Sequence, residues 1–260
     1  MKFYEFGDTN KPSIMLLPGT CCHWKNNFGH VIKLLEKDFY VICVSYDGFD
    51  ETENSEFPDM IVETEKIEKY IKEKLNGTVD AVYGCSLGGS FVGLLLQRNN
   101  IHMNHGILGS SDLDQEEGEK AIKVANKFSR FAYKTIQKGK INIILLTILK
   151  ILKGKDIIDF FLKILFGVGG QDVSFVSKES IRNQFYSDLI TKLDDNISVE
   201  GTNIHCFYAL KMGKIYLDRY NKHFKNPHIV KYNLNHEELL GCRKEDWVKE
   251  IKNCVFNNKN

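Results

Sequence analysis

"DAVYGCSLGGSFVGLLL", residues 80–96, decides how this chain folds. Ala81–Tyr83 is a short apolar run of the strand type. It enters a turn bracketed by Gly84 and Gly88, with Ser86 at the tip, and an apolar helical pattern leaves through Ser90–Gln97. A purely structural turn favours Asn, Asp or Gly at its tip, because these residues bond their own backbone or accept left-handed dihedrals. Here the tip carries a lone hydroxyl. Gly84-Cys85-Ser86-Leu87-Gly88 reads G-x-S-x-G, and strand before with helix after is the context in which that pattern makes a nucleophile elbow. The serine then sits on a strained turn where a Cβ at either flanking glycine would strike neighbouring backbone. The turn lifts the hydroxyl above the sheet and aims the helix start, with the N–H of Leu87, at the reaction centre. The bland alternative is a glycine-rich turn with an incidental serine. A dinucleotide fingerprint is excluded: glycines 84, 88 and 89 do not fit G-x-G-x-x-G, and "GVGGQD" (167–172) has Asp172 where the last glycine belongs.

Outward from this turn, apolar runs alternate with helical patterns. Strands are predicted at Ile14–Leu17, Tyr40–Tyr46, Val79–Tyr83, His105–Leu108, Thr202–Ala209 and Ile229–Asn233. Helices are predicted at Phe28–Glu36, Asp59–Leu75, Ser90–Gln97 and Asp246–Val255. Such alternation implies an α/β fold, a mostly parallel sheet flanked by helices on both faces. From Gln115 to Val199 the alternation breaks. That stretch holds "INIILLTILKILKG" (141–154) and "DIIDFFLKILFGVGG" (156–170). Neither run reaches the roughly 20 apolar residues that span a bilayer, so no stable membrane insertion is expected. Lys150, Lys153, Lys155, Asp156 and Asp159 punctuate them, the pattern of amphipathic helices. The expected organisation is core 1–114, a helical cap inserted at 115–199 over the carboxyl edge of the sheet, and core 200–260.

At 260 residues and 43% hydrophobic content, the chain can bury one sizeable core. Its 35 basic and 34 acidic residues leave a net charge of +1, so nothing general argues for a nucleic-acid partner. The seven cysteines are odd in number, several lie in apolar runs, and no CxxC pair suggests structural zinc. Met1–Phe6 alternates polar and apolar residues rather than forming a leader. A reducing cytoplasm is the natural expectation.

Acyl transfer at Ser86 needs a second N–H on the oxyanion and a base for the serine proton. "SIMLLPGTCCHW" (13–24) ends a strand in Pro-Gly-Thr, which makes the N–H of Thr20 the candidate donor, with Cys21 next; an ordinary strand-ending turn is the alternative. Of eight histidines, His105 and His205 fall in strand patterns, His30 and His223 read as helical, and His23 sits near the Thr20 loop. His236, in "VKYNLNHEELLG", follows a strand and comes 150 positions after Ser86, where a loop from the far half of the sheet can swing over the turn.

Taken together, the chain resembles an α/β-hydrolase of the serine esterase or lipase-like kind with an inserted cap. The resemblance rests on Pro18-Gly19-Thr20, Gly84–Gly88, the insertion and the late Asn235-His236-Glu237. It implies Ser86 as nucleophile, His236 as base, and Thr20 and Leu87 as oxyanion donors. "VSYDGFDETE" (44–53) resembles the family's D-x-x-G loop, with Asp50 in place of the second glycine. The acid departs from the pattern. The family's usual position follows its seventh strand, where this chain has Lys211-Met212-Gly213 and no carboxylate before Asp218. The family's alternative follows the sixth strand, where "HGILGSSDLDQ" (105–115) offers Asp112, then Asp114. Asp112 is favoured, although "SSD" is also common helix-capping chemistry. The implied reaction is two-step acyl transfer on a small apolar ester or thioester, with aminopeptidase activity open within the class. It requires no metal or other cofactor. Two further expectations stand beside it: a scaffold lapsed into a small-molecule binding protein, and a membrane-surface protein docked through residues 141–166. Nothing in the sequence fixes the oligomeric state.

Overall fold

The computed structural model describes residues 1–138, 155–166 and 170–257. Seven strands form one sheet: β1 (Lys2–Phe6), β2 (Ser13–Leu17), β3 (Tyr40–Ser45), β4 (Thr78–Gly84), β5 (His102–Leu108), β6 (Asn203–Ala209) and β7 (His228–Tyr232). Their order is β1-β3-β2-β4-β5-β6-β7, with β1 antiparallel to β3 and every other pair parallel. The central strands SIMLL and YVICVS are buried at every position. Helices cover both faces of a parallel sheet, so such strands read as continuous apolar runs. The alternation of side chains still divides them. Met15, Leu17, Ile42 and Val44 enter one core, while Ile14, Leu16, Val41 and Cys43 enter the other with Tyr83 and Trp247.

Two local expectations are corrected. Met1–Phe6, used above only against a leader, supplies the edge strand β1, and its period of two is the signature of a half-buried strand. The single helix expected at Phe28–Glu36 is instead two short ones, Trp24–Phe28 and Ile32–Leu35. Gly29 lies between them, and glycine weakens a helix interior by about 1 kcal/mol relative to alanine. The other helices follow expectation closely. Met60–Lys74 starts where the Asp59 carboxylate accepts the Val62 N–H at 2.9 Å, and Lys244–Phe256 closes the chain.

Between β5 and β6 lie the helices Gly118–Lys138, Lys155–Phe166 and Lys178–Ile190. The run 141–154 lies outside the described residues, and of 156–170 the stretch 167–169 does too. Gly118–Lys138 buries Ala121, Ala125, Ser129, Ala132 and Ile136, one stripe at helical spacing, and packs on Lys178–Ile190. Lys155–Phe166 packs on the short helix Glu238–Cys242, and its Ile158 and Phe160 meet Cys22. Among the described residues no helix is long and apolar enough to cross a membrane. Because β2 and β4–β7 run in one direction, the loops after Leu17, Gly84, Leu108, Ala209 and Tyr232 all gather at one edge of the sheet.

Candidate active site

Ser86 leaves β4 with φ 51° and ψ −111°, a conformation that L-residues rarely adopt and that costs about 1–3 kcal/mol. The flanking glycines make it possible. A Cβ at Gly84 would overlap the Gly88 carbonyl oxygen, and one at Gly88 would overlap the Leu17 carbonyl oxygen. Gly89 is equally confined, since a Cβ there would run into the Ser111 hydroxyl. In each of the first two cases the obstacle is backbone and cannot rotate away. Gly88→Ala is therefore expected to cost about 1–3 kcal/mol or more of stability. Thermal unfolding beside wild type checks this, and an unchanged Tm would mean the turn yields freely.

The loop after β7 brings His236 over this turn. Its Nε2 lies 3.1 Å from Ser86 Oγ. Its Nδ1 lies 3.8 Å from Asp112 Oδ1, an ion-pair rather than a hydrogen-bond distance. Asp112 follows β5, in a loop held by the Arg219 guanidinium on the Asp112 carbonyl (2.8 Å) and the Tyr220 hydroxyl on the Ser111 carbonyl (2.7 Å). Burial raises the Asp112 carboxyl above its ordinary value, with Asp114 adding to the rise and His236 and Arg219 pulling it back. The structure thus gathers Ser86, His236 and Asp112. Asp114 is turned to Arg219 instead, and Asp218 is exposed on the helix Lys214–His223. Six of the other seven histidines have partners elsewhere. His23 pairs with Glu51, His30 meets the Leu240 carbonyl, and His223 meets the Asp194 carbonyl. His105, His205 and His228 form a ring-to-ring chain across β5–β7. Asp50 folds its own loop, taking the Tyr4 hydroxyl at 2.7 Å and the Thr52 N–H at 3.0 Å.

The backbone donors sort themselves by elimination. After β2, Pro18 has no N–H, Gly19 N–H goes to Asn27 Oδ1 (2.9 Å), Cys21 N–H to Gln184 Oε1 (2.7 Å) and Cys22 N–H to the Gly19 carbonyl (3.2 Å). In the Ser86 turn, Cys85 N–H goes to the Leu17 carbonyl (3.0 Å), Ser86 N–H to Glu237 Oε1 (2.9 Å), and Gly88 and Gly89 N–H to the carbonyls of Cys85 and Ser86 (both 2.8 Å). Among the described residues, within Pro18–Cys22 and Cys85–Gly89, Thr20 and Leu87 are left as the N–H groups without a protein acceptor. For Leu87 the reason is general, because the first N–H groups of a helix have no intrahelical partner.

A cavity of about 370 Å³ opens beside His236 and Asp112. Ile158, Phe161, Met212 and Tyr216 give it an apolar wall, and Lys211 stands where the family's usual acid was sought. Asp188, on the helix Lys178–Ile190, is pushed up to about 7 by burial, with Asp112 and Asp114 adding to the rise and a hydrogen bond from Ser90 opposing it. Sequence reasoning missed Asp188; it held Glu237 only as part of Asn235-His236-Glu237 and as a substitute acid should Asp112, Asp114 and Asp218 not serve, not as a buried carboxyl beneath Ser86. Nothing local flags either one, except that Glu237 adjoins His236. Among the described residues no group of three His, Cys, Asp or Glu side chains is arranged to hold a metal ion.

A family model described as the alpha/beta hydrolase fold matches residues 12–143. Over 88 residues, 33% of the chain, the sequence is 30% identical to the monoacylglycerol lipase ABHD6 of Rattus norvegicus and 31% to that of Homo sapiens. That stretch spans about a quarter (26%) of those relatives' length. Among solved structures, a putative alpha/beta hydrolase family protein from Desulfitobacterium hafniense superposes with a TM-score of 0.76 at 16% identity, covering 96% of this chain and 98% of that one. A lipase-esterase related protein from Clostridium acetobutylicum gives 0.66 at 16%, covering 98% and 99%. A thermophilic esterase from Thermogutta terrifontis gives 0.69 at 14%, covering 96% and 91%. At such identities the superpositions speak for the fold alone.

Proposed function

The chain belongs to the alpha/beta hydrolase fold family, and from that premise we propose that it cleaves carboxylic esters or thioesters of apolar acyl chains through an acyl-enzyme on Ser86. The observation that carries this reading is His236 Nε2 at 3.1 Å from Ser86 Oγ, at the tip of a turn strained to φ 51°. A base within hydrogen-bond reach is what a serine needs to become a nucleophile. In the first step Ser86 Oγ bonds to the acyl carbon and its proton passes to His236 Nε2. The carbonyl π electrons move onto oxygen, and the free N–H groups of Thr20 and Leu87 are the donors for that oxyanion. The tetrahedral species collapses, and the leaving alcohol or thiol departs with the proton from His236. Water then attacks the acyl-enzyme, gives its proton to His236, and the acid leaves as Ser86 recovers that proton. Asp112 keeps the imidazole with Nδ1–H toward its own carboxylate and stabilises the imidazolium. Every proton is returned, and no step calls for a metal or other cofactor.

The segment 115–199 acts in this proposal as the cap of the site, and its Ile158 and Phe161 are on the cavity wall. They support a small apolar ester as substrate, with no nucleic acid involved. A cytoplasmic working place belongs to the same proposal; the seven cysteines carry free thiols, six of them buried. The test is a fluorophosphonate probe followed by mass mapping of the label, which is expected on Ser86. Absence of both labelling and turnover would favour a small-molecule binding protein on the same scaffold.

Chain length gives a second measurement. Each CH₂ that the cavity takes from water is worth about 0.8 kcal/mol, about fourfold in kcat/KM. Activity on p-nitrophenyl esters is expected to rise from C2 through C4 to C8 and to level off when the cavity is filled. A flat profile, or a preference for acetate, counts against the apolar acyl site.

A further inference from the structure

We propose that Glu237 is a positioning residue for this site: its buried carboxylate anchors the Ser86 turn from beneath and places negative charge beside His236. The proposal rests on the reading of Ser86 and His236 just given.

Glu237 is only 4% exposed. A carboxylate removed from water survives only if its oxygens are taken by donors. Here both are. Oε1 accepts the Ser86 N–H at 2.9 Å, and Oε2 accepts the Tyr83 hydroxyl at 3.2 Å. The partners come from β4 and the turn that β4 feeds, 151 positions earlier in the chain for Ser86. The turn needs this partner. The β4 ladder to β2 ends at Gly84, and the Cys85 N–H takes the last carbonyl of β2, so the Ser86 N–H has left the ladder. A strained residue persists only when its surroundings over-determine it. Glu237 supplies that constraint at the residue whose φ is 51°.

The same side chain is tied to His236 by one peptide bond. Glu237 itself has φ 53°, uncommon for a non-glycine residue, and begins the short helix Glu238–Cys242. On the other side of His236, the Asn235 N–H and amide both bond Glu238 Oε2, at 2.7 and 2.6 Å. The loop is thus pinned on both sides of the imidazole. Pulling Glu237 under Ser86 carries His236 over it, so a single buried carboxyl sets the register between nucleophile and base. Its charge matters because Asp112 stands 3.8 Å from Nδ1, too far for a short hydrogen bond. The groups facing the Glu237 carboxyl are His236 on its own loop, Tyr83 and Cys85 from β4 and its turn, Cys22 from the loop after β2 and Tyr220 from the helix Lys214–His223; burial raises the carboxyl above its ordinary value, and His236 with the donors from Ser86, Cys85 and Tyr83 pulls it back. His236 is the cation-forming member of that set. A negative charge close to it favours the imidazolium that forms when Ser86 is deprotonated.

The test compares Glu237→Gln, which keeps the reach and loses the charge, with Glu237→Asp, which keeps the charge and loses the reach. Both are measured in the full-length chain on p-nitrophenyl butyrate, with fluorophosphonate labelling alongside. For Glu237→Gln, kcat is expected to fall about tenfold to a hundredfold with KM within about twofold. For Glu237→Asp, kcat is expected to fall as well, because the shorter side chain no longer reaches the Ser86 N–H. A filler of space would leave kcat unmoved at constant KM, and wild-type values for both variants, with Ser86 still labelled, overturn the proposal alone. If Glu237→Gln does not fold, Glu237→Asp decides, and wild-type kcat there overturns it. Failure of the wild-type chain to label or turn over overturns the reading of Ser86 and this proposal with it.

Discussion

Ser86→Ala is expected to lower kcat on p-nitrophenyl butyrate by about 10⁶, with the fold intact. The size follows from what the substitution removes. In a site of this kind, the hydroxyl is the group that becomes bonded to the acyl carbon, and no neighbour replaces it. The residual rate comes from bound substrate held against the N–H groups of Thr20 and Leu87, worth about 10³–10⁴ over water. The fold should persist because Ser86 is only partly buried, at the tip of its turn. Losing its hydroxyl leaves no core cavity. The contacts that hold the turn are made by backbone, through Ser86 N–H to Glu237 and Gly89 N–H to the Ser86 carbonyl. Alanine keeps both, and its Cβ is no larger than that of serine at the same φ. Circular dichroism and thermal unfolding beside wild type separate the two effects. A folded variant that retains more than a few per cent of activity would place the nucleophile elsewhere.

The parts of this site that are legible in the sequence are those whose cause is local. Glycine at 84 and 88 is dictated by carbonyl oxygens a few ångströms away, so the G-x-S-x-G spacing alone locates the turn. The strands announce themselves because a doubly covered parallel sheet demands unbroken apolar runs such as SIMLL and YVICVS. His236 and Asp112 are found from the order of strand ends, since every parallel strand delivers its following loop to the same edge. What escapes is set by pairings remote in the chain. The bond from Ser86 N–H to Glu237 joins positions 151 apart, and no periodicity encodes it. The burial of Asp188 depends on how Lys178–Ile190 lies against the helix carrying Ser90, a matter of packing rather than pattern. The break at Gly29 and the alternation at Lys2–Phe6 are visible in the residues, but one glycine does not by itself end a helix and five residues do not by themselves make a strand.

The identity of the acid is the most discriminating question, because three carboxylates compete for one imidazole nitrogen. Asp112→Asn is expected to lower kcat by up to about 10⁴ while KM changes little. The reason is a change of tautomer. A carboxylate accepts the Nδ1 proton and leaves Nε2 free to take the proton of Ser86, whereas an amide can donate to Nδ1 and turn that preference round. The loss also removes the charge that stabilises the imidazolium. At 3.8 Å the pair in the resting structure is loose, and such contacts tighten once substrate is bound. Asp114→Asn should stay close to wild type, because Asp114 is spent on Arg219 and not on His236. Asp218→Asn should do the same from its exposed position on Lys214–His223. The three substitutions, assayed together on one ester with fluorophosphonate labelling as a control for folding, give a clear ordering. If Asp218→Asn were the inactive one, the loop after β6 would have to carry the acid by a rearrangement on substrate binding. If none were inactive, the charge at Glu237 would have to serve His236 alone, and Glu237→Gln would then be the inactive variant, with or without Asp112→Asn.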